Sequence, residues 1–105
     1  MADQPSAVVH GIVVEEEVEF TLAELGRACR VDRAQLIALV DEGVLQPRGS
    51  GPDEWRFGGT ALRRARSAQR LARDLELSPA GTALVLDLLD QIEALRSRLH
   101  RAGLR

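Results

Sequence analysis

Apolar residues recur at helical spacing in two short stripes near the start of the chain, and the turn "RVD" separates them. Each stripe begins with a capping pattern, Thr21 with Glu24 and Asp32 with Gln35, so the first helix is expected to start at about residue 22. Gly43 fits the left-handed position that follows the end of the second helix. Two short helices joined by a tight turn predict a helix-turn-helix.

A loop rich in proline, glycine and serine separates two short apolar stretches after the second helix. These stretches, at residues 44–45 and 55–57, predict the two strands of a β-hairpin, or wing. An earlier run of β-branched residues and acids predicts a strand near residues 12–19, placed to pair with the wing. The expected fold is therefore mainly α, a winged helix-turn-helix with a small β wing.

Two longer helices are predicted in the second half of the chain. The first is capped near Thr60; the second has Ser78 as N-cap and Pro79 as first residue, and covers roughly residues 79–101. The apolar positions of this last helix follow the 3-4-3-4 spacing of a heptad seam, and they are Val85, Leu88, Ile92, Leu95 and Leu99. So short a seam is not stable alone. It must pack on the chain's own third helix or on a second copy, and we expect an antiparallel homodimer.

The length of 105 residues is enough for one domain with a modest core. The pattern divides the chain into a flexible tail at residues 1–11, a winged helix-turn-helix core at residues 12–77 and a dimerisation helix at residues 78–105.

Charge is distributed unevenly along the chain. The formal net charge is -2. Residues 1–54 hold 11 acids and 4 arginines, a balance of -7, whereas residues 55–105 hold 10 arginines and 5 acids, a balance of +5. A domain dedicated to nucleic acid usually carries a basic excess, so DNA binding is doubtful. The run "RRARSAQRLAR" is the best case for it, but its arginines are expected to spread around much of the helix.

Residues that could carry catalysis or bind a metal are sparse. One cysteine and two histidines make an internal disulfide impossible and a metal site improbable, and Cys29 is expected to be a small core residue. We expect no enzyme activity and no cofactor. No stretch is apolar over the roughly 20 residues of a membrane helix, and no signal peptide is apparent, which predicts a cytoplasmic protein.

The order of elements resembles the MerR-like winged-helix architecture. The stretch "FTLAELGRACRVDRAQLIALVDEGVLQP" follows the opening of that family closely, and "EWRF" retains the aromatic-Arg-aromatic character of its wing. The departure lies in the second helix. Where MerR-type activators usually carry an Arg-Tyr-Tyr run, this chain has Ile37, Ala38 and Leu39. The change removes contacts that would position the domain on a duplex.

Over residues 18–100 the chain resembles more closely the chaperone modulators of the CbpM type, which are small MerR-like proteins. The resemblance is carried by the apolar second helix, by "VLQPRG" and "EWRF", and by one final helix with no effector domain. Proteins of that family bind the J-domain of a DnaJ-like co-chaperone and restrain it. The resemblance therefore implies an adaptor rather than a gene switch.

A J-domain presents a basic helix to its Hsp70 partner, so an acidic face on this chain would suit the task. The candidate partner-binding residues are Glu15, Glu17, Glu19, Asp41 and Glu42, with Leu39 and Val44 as apolar contacts. The alternative is a MerR-type DNA-binding transcriptional regulator with Arg56, Arg63 and Arg64 on phosphates. A bare oligomerisation module is a third possibility.

Overall fold

The computed structural model describes residues 18–103, and within that range it contains four α-helices. They are α1 (Leu22–Cys29), α2 (Arg33–Asp41), α3 (Gly59–Leu75) and α4 (Pro79–Arg101). The mainly α fold class is confirmed. The predicted tail at residues 1–11 and the predicted strand up to residue 17 lie outside the described residues, and the division into domains stays a prediction.

Both predicted capping boxes form. The Thr21 hydroxyl accepts a hydrogen bond from the Glu24 backbone N–H at 3.1 Å, and the Glu24 carboxylate accepts one from the Thr21 N–H at 2.9 Å. Asp32 and Gln35 exchange the same two bonds at 2.8 and 3.3 Å. These contacts satisfy N–H groups that have no partner inside the helix. The bond from the Thr21 backbone is also the main reason that the pKa of Glu24 is lowered.

The turn between α1 and α2 depends on a glycine. The backbone N–H of Val31 donates to the carbonyl of Gly26 at 3.0 Å. A Cβ atom on Gly26 would lie only 2.8 Å from the carbonyl oxygen of Val31. A larger residue at this position would therefore push the two helices of the helix-turn-helix apart.

The core is small and lies where the helix-turn-helix meets α3 and the start of α4. Its largest fully buried apolar side chains are Phe57, Leu25, Leu36 and Leu45. The long α3 contributes buried alanines, which are Ala61, Ala65 and Ala68. Small side chains let α3 approach α1 closely, and the thiol of Cys29 lies 3.9 Å from the carbonyl oxygen of Leu62.

The predicted wing is wrong in its details. Within residues 18–103 the only β pairing consists of two isolated antiparallel bridges, Phe20 with Phe57 and Arg48 with Arg56. Residues 44–45 are not a strand, because the N–H of Val44 donates to the carbonyl of Leu39 at 2.9 Å and keeps the chain against α2. The loop therefore closes with one bridge rather than with a ladder.

The start of α3 also differs from the prediction. Its N-cap is Gly58, in an extended conformation and without a side-chain cap, so Thr60 lies inside the first turn. Phe57 is fully buried and paired with Phe20, which determines where the chain turns into the helix. By contrast, α4 starts as predicted, since the Ser78 hydroxyl accepts a bond from the Gly81 N–H at 3.0 Å and Pro79 is the first residue.

Helix α4 has buried side chains only near its start. Thr82 and Leu86 are buried, but from Asp87 to the last described residue no side chain is buried. Val85, the first residue of the seam, is half-buried. The other four seam residues are between 45% and 54% exposed, and they are Leu88, Ile92, Leu95 and Leu99. The seam therefore does not pack on the chain's own α3.

Candidate functional site

Two exposed acids end α2 and define the acidic end, which is Asp41 and Glu42. Asp41 is the last residue of the helix, and Glu42 is its C-cap, with its N–H bonded to the carbonyl of Ala38 at 3.0 Å. Neither carboxylate forms an ion pair with a residue in the range 18–103. Because the carboxyl end of a helix carries partial negative charge, two more negative groups there concentrate negative potential at one place.

The acidic end is followed directly by residues that enter the core. Gly43 adopts a left-handed conformation, with φ of 81°, as the sequence predicted. Val44 and Leu45 then enter the core, where they are only 4% and 2% exposed. The two acids therefore lie in a turn between α2 on one side and the buried residues Val44 and Leu45 on the other.

Two of the predicted apolar contacts are core residues. Leu39 is 6% exposed and Val44 is 4% exposed, since both side chains pack among the other buried residues. Their side chains are not available on the surface of the folded chain. Leu39 lies on the inward side of α2 and Val44 enters the core directly after Gly43, so this part of the candidate site is corrected.

A cleft of about 430 Å³ opens beside the acidic end. It lies between the turn after α2, the start of α3 and the middle of α4. Arg64 forms one wall: its Nε donates to the carbonyl of Val44 at 3.0 Å, and its Nη2 lies 2.9 Å from Oδ2 of Asp90. The arginine therefore joins the helix-turn-helix to α4, and it is not free for a phosphate as the alternative required.

The remaining predicted acids are in different situations. Glu19 forms an ion pair with Arg48, so it belongs to the contact between the start of the described chain and the loop. Glu15 and Glu17 lie outside the described residues. The structure thus brings Asp41 and Glu42 together and leaves Glu19 apart from them.

The outer side of α2 offers little to a DNA duplex. Arg33, at its start, lies 3.5 Å from the carboxylate of Asp53 in the loop. Ile37 and Ala38 are half-buried, and neither can donate a hydrogen bond from its side chain. The guanidinium of Arg56 donates to the carbonyl of Trp55 at 2.8 Å while remaining exposed.

Four arginines of α3 share one exposed side of that helix, and we name this set the arginine face. They follow one another at spacings of 3, 4 and 3, which covers roughly a quarter of the helix circumference, and they are Arg63, Arg66, Arg70 and Arg73. The expectation that the arginines spread around the helix was therefore wrong. Only Arg64 points elsewhere, towards α4.

Other chemistry is sparse in the described part of the chain. No group of histidine, cysteine, aspartate and glutamate side chains among residues 18–103 is arranged to hold a metal ion. Burial raises the pKa of the Cys29 thiol, which opposes formation of a reactive thiolate. None of the described helices is long and apolar enough to span a bilayer.

The contact between Arg64 and Asp90 was not recognised from the sequence. The two residues are 26 positions apart on different helices, and no local pattern links them. The sequence placed Arg64 on a phosphate in the alternative of a DNA-binding regulator. The pairing can be recognised only when the relative positions of α3 and α4 are known.

Comparison with known proteins agrees with this geometry. Residues 20–102 match the model of the MerR HTH family of regulatory proteins. The chain is 38% identical over 93 residues to the chaperone modulatory protein CbpM of Coxiella burnetii, a match that covers 89% of this chain and 88% of that protein. It is 34% identical over 80 residues to the CbpM proteins of Pseudomonas putida and Pseudomonas entomophila, with 76% of this chain and 79% of theirs covered. The chain therefore belongs to the chaperone modulatory protein family CbpM, within the MerR-type helix-turn-helix proteins.

Proposed function

We propose that this protein is a chaperone modulator that binds the J-domain of a DnaJ-like co-chaperone and limits the action of that co-chaperone with Hsp70. The observation that carries the proposal is the acidic end of α2, where two exposed carboxylates have no ionic partner among the described residues. The relatives' name, chaperone modulatory protein, supports the general role.

The acidic end suits the basic helix that a J-domain offers to Hsp70. Opposite charges steer two proteins together and set their orientation, while the rim of an interface contributes less to affinity than its centre. The cleft beside Arg64 gives the interface a concave centre next to the two acids. Occupying the basic helix in this way would block the Hsp70 contact by competition.

The protein acts as an antiparallel homodimer in this proposal. The apolar residues of α4 beyond Asp87 have no covering partner in residues 18–103, and their heptad spacing is that of a helix-helix seam. A second copy would cover Leu88, Ile92 and Leu95. In an antiparallel pair centred on Ile92, the Arg96 of one chain lies near Leu89 of the other, where its aliphatic stem covers apolar surface.

The alternative of a DNA-binding regulator is compatible with the MerR family match but is weaker on the details. Arg64 is occupied by Val44 and Asp90, and α2 has lost the side chains that would grip phosphates. The arginine face does not lie on α2, the helix that would enter the major groove in a helix-turn-helix protein.

The first experiment is calorimetric titration of the protein with the J-domain of a DnaJ-like co-chaperone from the same source, at physiological salt. We expect saturable binding of one J-domain per chain. The double substitution Asp41→Lys and Glu42→Lys should weaken binding, mainly by slowing association, because the steering charge is reversed.

A matched control reverses two acids elsewhere, Asp87→Lys and Glu93→Lys on α4. It changes the net charge equally and should leave J-domain affinity nearly unchanged. If both double variants weaken J-domain affinity equally, the acidic end is not the binding site. If the unmodified protein does not bind the J-domain at tens of micromolar, the proposed function is wrong. Binding to duplex DNA would then be tested.

A further inference from the structure

A cavity of about 80 Å³ lies where α2, the second half of α3 and the start of α4 meet. Its wall is mostly apolar and includes Leu39 and Ala72. The polar side chains in the wall are those of Gln35, Gln69 and Thr82. The cavity is separate from the cleft beside Arg64, since the two have no wall residue in common.

The hydroxyl of Thr82 is the group in this cavity that lacks a partner. Thr82 is 0% exposed, and its hydroxyl oxygen is the only buried side-chain nitrogen or oxygen within residues 18–103 without a hydrogen bond. Its backbone is satisfied, because the N–H donates to the carbonyl of Ser78 at 2.8 Å. An unsatisfied buried hydroxyl lowers the stability of a protein, and such groups are rare. A hydrogen-bonding group that enters the cavity would remove that cost.

Two glutamines form the more exposed part of the wall. Gln35 is exposed and Gln69 is half-buried, whereas Thr82 is fully buried. The Oε1 atom of Gln35 accepts a bond from the Asp32 N–H at 3.3 Å, and the Nε2 atom of Gln69 donates one to the Arg30 carbonyl at 3.0 Å. A group that reaches Thr82 from solvent has to displace a side chain of the wall. These two long side chains can move by a change of rotamer, without movement of the backbone.

The size of the cavity indicates one side chain of a larger partner rather than a free small molecule. Its volume is roughly half that of a cavity that binds benzene, so it has room for about three or four non-hydrogen atoms. A free molecule of that size would have a dissociation constant of roughly tens of micromolar at best. A protein partner adds contacts outside the cavity, and a side chain buried at the centre of an interface contributes strongly to affinity.

The cavity and the acidic end lie along one side of α2. Gln35, Leu39 and Glu42 follow one another at spacings of 4 and 3, which places them in one row on the helix. Gln35 and Glu42 are therefore 7 residues apart, or about 10.5 Å along the axis. In a second helix lying beside α2, positions with the same spacing in sequence have the same separation. A basic helix that faces Glu42 thus brings another of its side chains to the cavity.

We propose that the cavity receives one short side chain of the J-domain, with a hydroxyl or amide group at its tip that hydrogen-bonds the hydroxyl of Thr82. This inference rests on the proposed function, because it takes the basic helix of the J-domain as the source of the side chain. The opposite charges of that helix and the acidic end orient the partner, and the inserted side chain retains it. Asp41 and Glu42 therefore govern the rate of association, and the cavity governs the rate of dissociation.

The first variant fills the cavity. Ala72 lies in its wall on α3 and is half-buried, so Ala72→Leu places a larger side chain in the cavity. Surface plasmon resonance of the full chain with the J-domain of a DnaJ-like co-chaperone from the same source measures both rate constants. We expect affinity about tenfold weaker or more, through faster dissociation. Ala23→Leu, at an exposed position of α1, is the matched control and should leave both rate constants unchanged.

The second variant removes the hydroxyl and keeps the shape of the side chain. Thr82→Val should leave the thermal unfolding midpoint of the free protein unchanged or raise it, because an unsatisfied buried group is lost. In the same variant the J-domain should dissociate faster, with affinity about two- to tenfold weaker, because its side chain loses a hydrogen bond. A threonine with only a structural role would show no loss of J-domain affinity without a loss of stability.

The results that overturn this inference differ from those that overturn the proposed function. J-domain affinity unchanged in both variants would mean that the cavity holds ordered water only. If Ala72→Leu instead raises the dissociation constant of the dimer in analytical ultracentrifugation and leaves J-domain affinity unchanged, a second copy occupies the cavity. In either case, slower association of the Asp41→Lys and Glu42→Lys double variant would still support the proposed function. Absence of J-domain binding by the unmodified protein would overturn both.

Discussion

The first two turns of α4 and its last four turns are made of the same kinds of residue, but they have different surroundings. In the first part Thr82 and Leu86 are 0% and 5% exposed, packed against the helix-turn-helix and α3. In the second part Leu88 is 48% exposed and Leu95 is 54% exposed. One continuous helix thus leaves the core about a third of the way along its length.

The difference shows that apolar spacing alone does not identify a core. The buried positions and the exposed stripe lie on different sides of α4, because Leu86 is two residues before Leu88 and two residues turn a helix by about 200°. The inward side belongs to the folding of a single chain. The outward stripe is stable in water only when another surface covers it.

The largest expected effect comes from the exposed part. Ile92→Glu should abolish the proposed dimer, because Ile92 lies at the middle of the stripe and each dimer loses two buried side chains. Burial of a fully exposed side chain is worth about 1.5–3 kcal/mol, and Ile92 is 45% exposed in the single chain, so the two side chains contribute about 1.4–2.7 kcal/mol of association free energy. The cost of placing two carboxylates in the apolar stripe adds to this loss. Analytical ultracentrifugation across a range of concentrations measures it.

A neighbouring substitution serves as the control for this prediction. Glu93→Gln changes an exposed residue beside Ile92 and should leave the dimer intact. A chain that sediments as a monomer before any substitution would contradict the second-copy explanation, and the stripe would then need a different occupant.

The buried part should show the opposite behaviour. Leu86→Ala should lower the free energy of unfolding of the chain by about 2–5 kcal/mol, because it leaves a cavity in the core. Urea denaturation followed by circular dichroism measures the change, and the Ile92→Glu background removes any contribution from association. An effect below that of an exposed leucine such as Leu84→Ala would mean that α4 is not part of the core.

The smallest expected effect concerns the ion pair that ties the two parts together. Asp90→Asn removes the charge that faces Arg64, in the part of α4 where no described side chain is buried. Both side chains are partly in solvent, at 31% and 57% exposure, so the pair should stabilise the chain by only about 0.5 kcal/mol. Thermal unfolding at low and high salt checks this. The difference in unfolding free energy between the unmodified protein and the Asp90→Asn variant should decrease as the salt concentration rises.

Features of the fold that depend on neighbours in sequence could be predicted well. The capping boxes of α1 and α2, the left-handed Gly43 and the limits of α4 at Pro79 and Arg101 are all confirmed. Each rests on residues within four positions of one another. The start of α3 was missed because Gly58 caps it without a side-chain bond, which leaves no pattern to recognise.

Features that depend on distant pairing could not be predicted in this way. The expected wing strands gave way to single bridges, because Val44 and Leu45 are held in the core instead of in a ladder. Of the candidate site, the exposure of Asp41 and Glu42 followed from helix position. The burial of Val44 and the contacts of Arg64 with Val44 and Asp90 depend on how the helices pack, which spacing does not give.

The exposed stripe of α4 makes the amount of working protein a steep function of how much chain is made. If the protein dimerises as proposed, a newly synthesised chain exposes the apolar stripe of α4 until it associates with a second chain. The rate of that association is second order in chain concentration. At low abundance most chains would stay single, and their uncovered arms would be targets for proteases and for aggregation. A doubling of expression near the dissociation constant would then raise the dimer more than twofold, so gene dosage would act as a threshold.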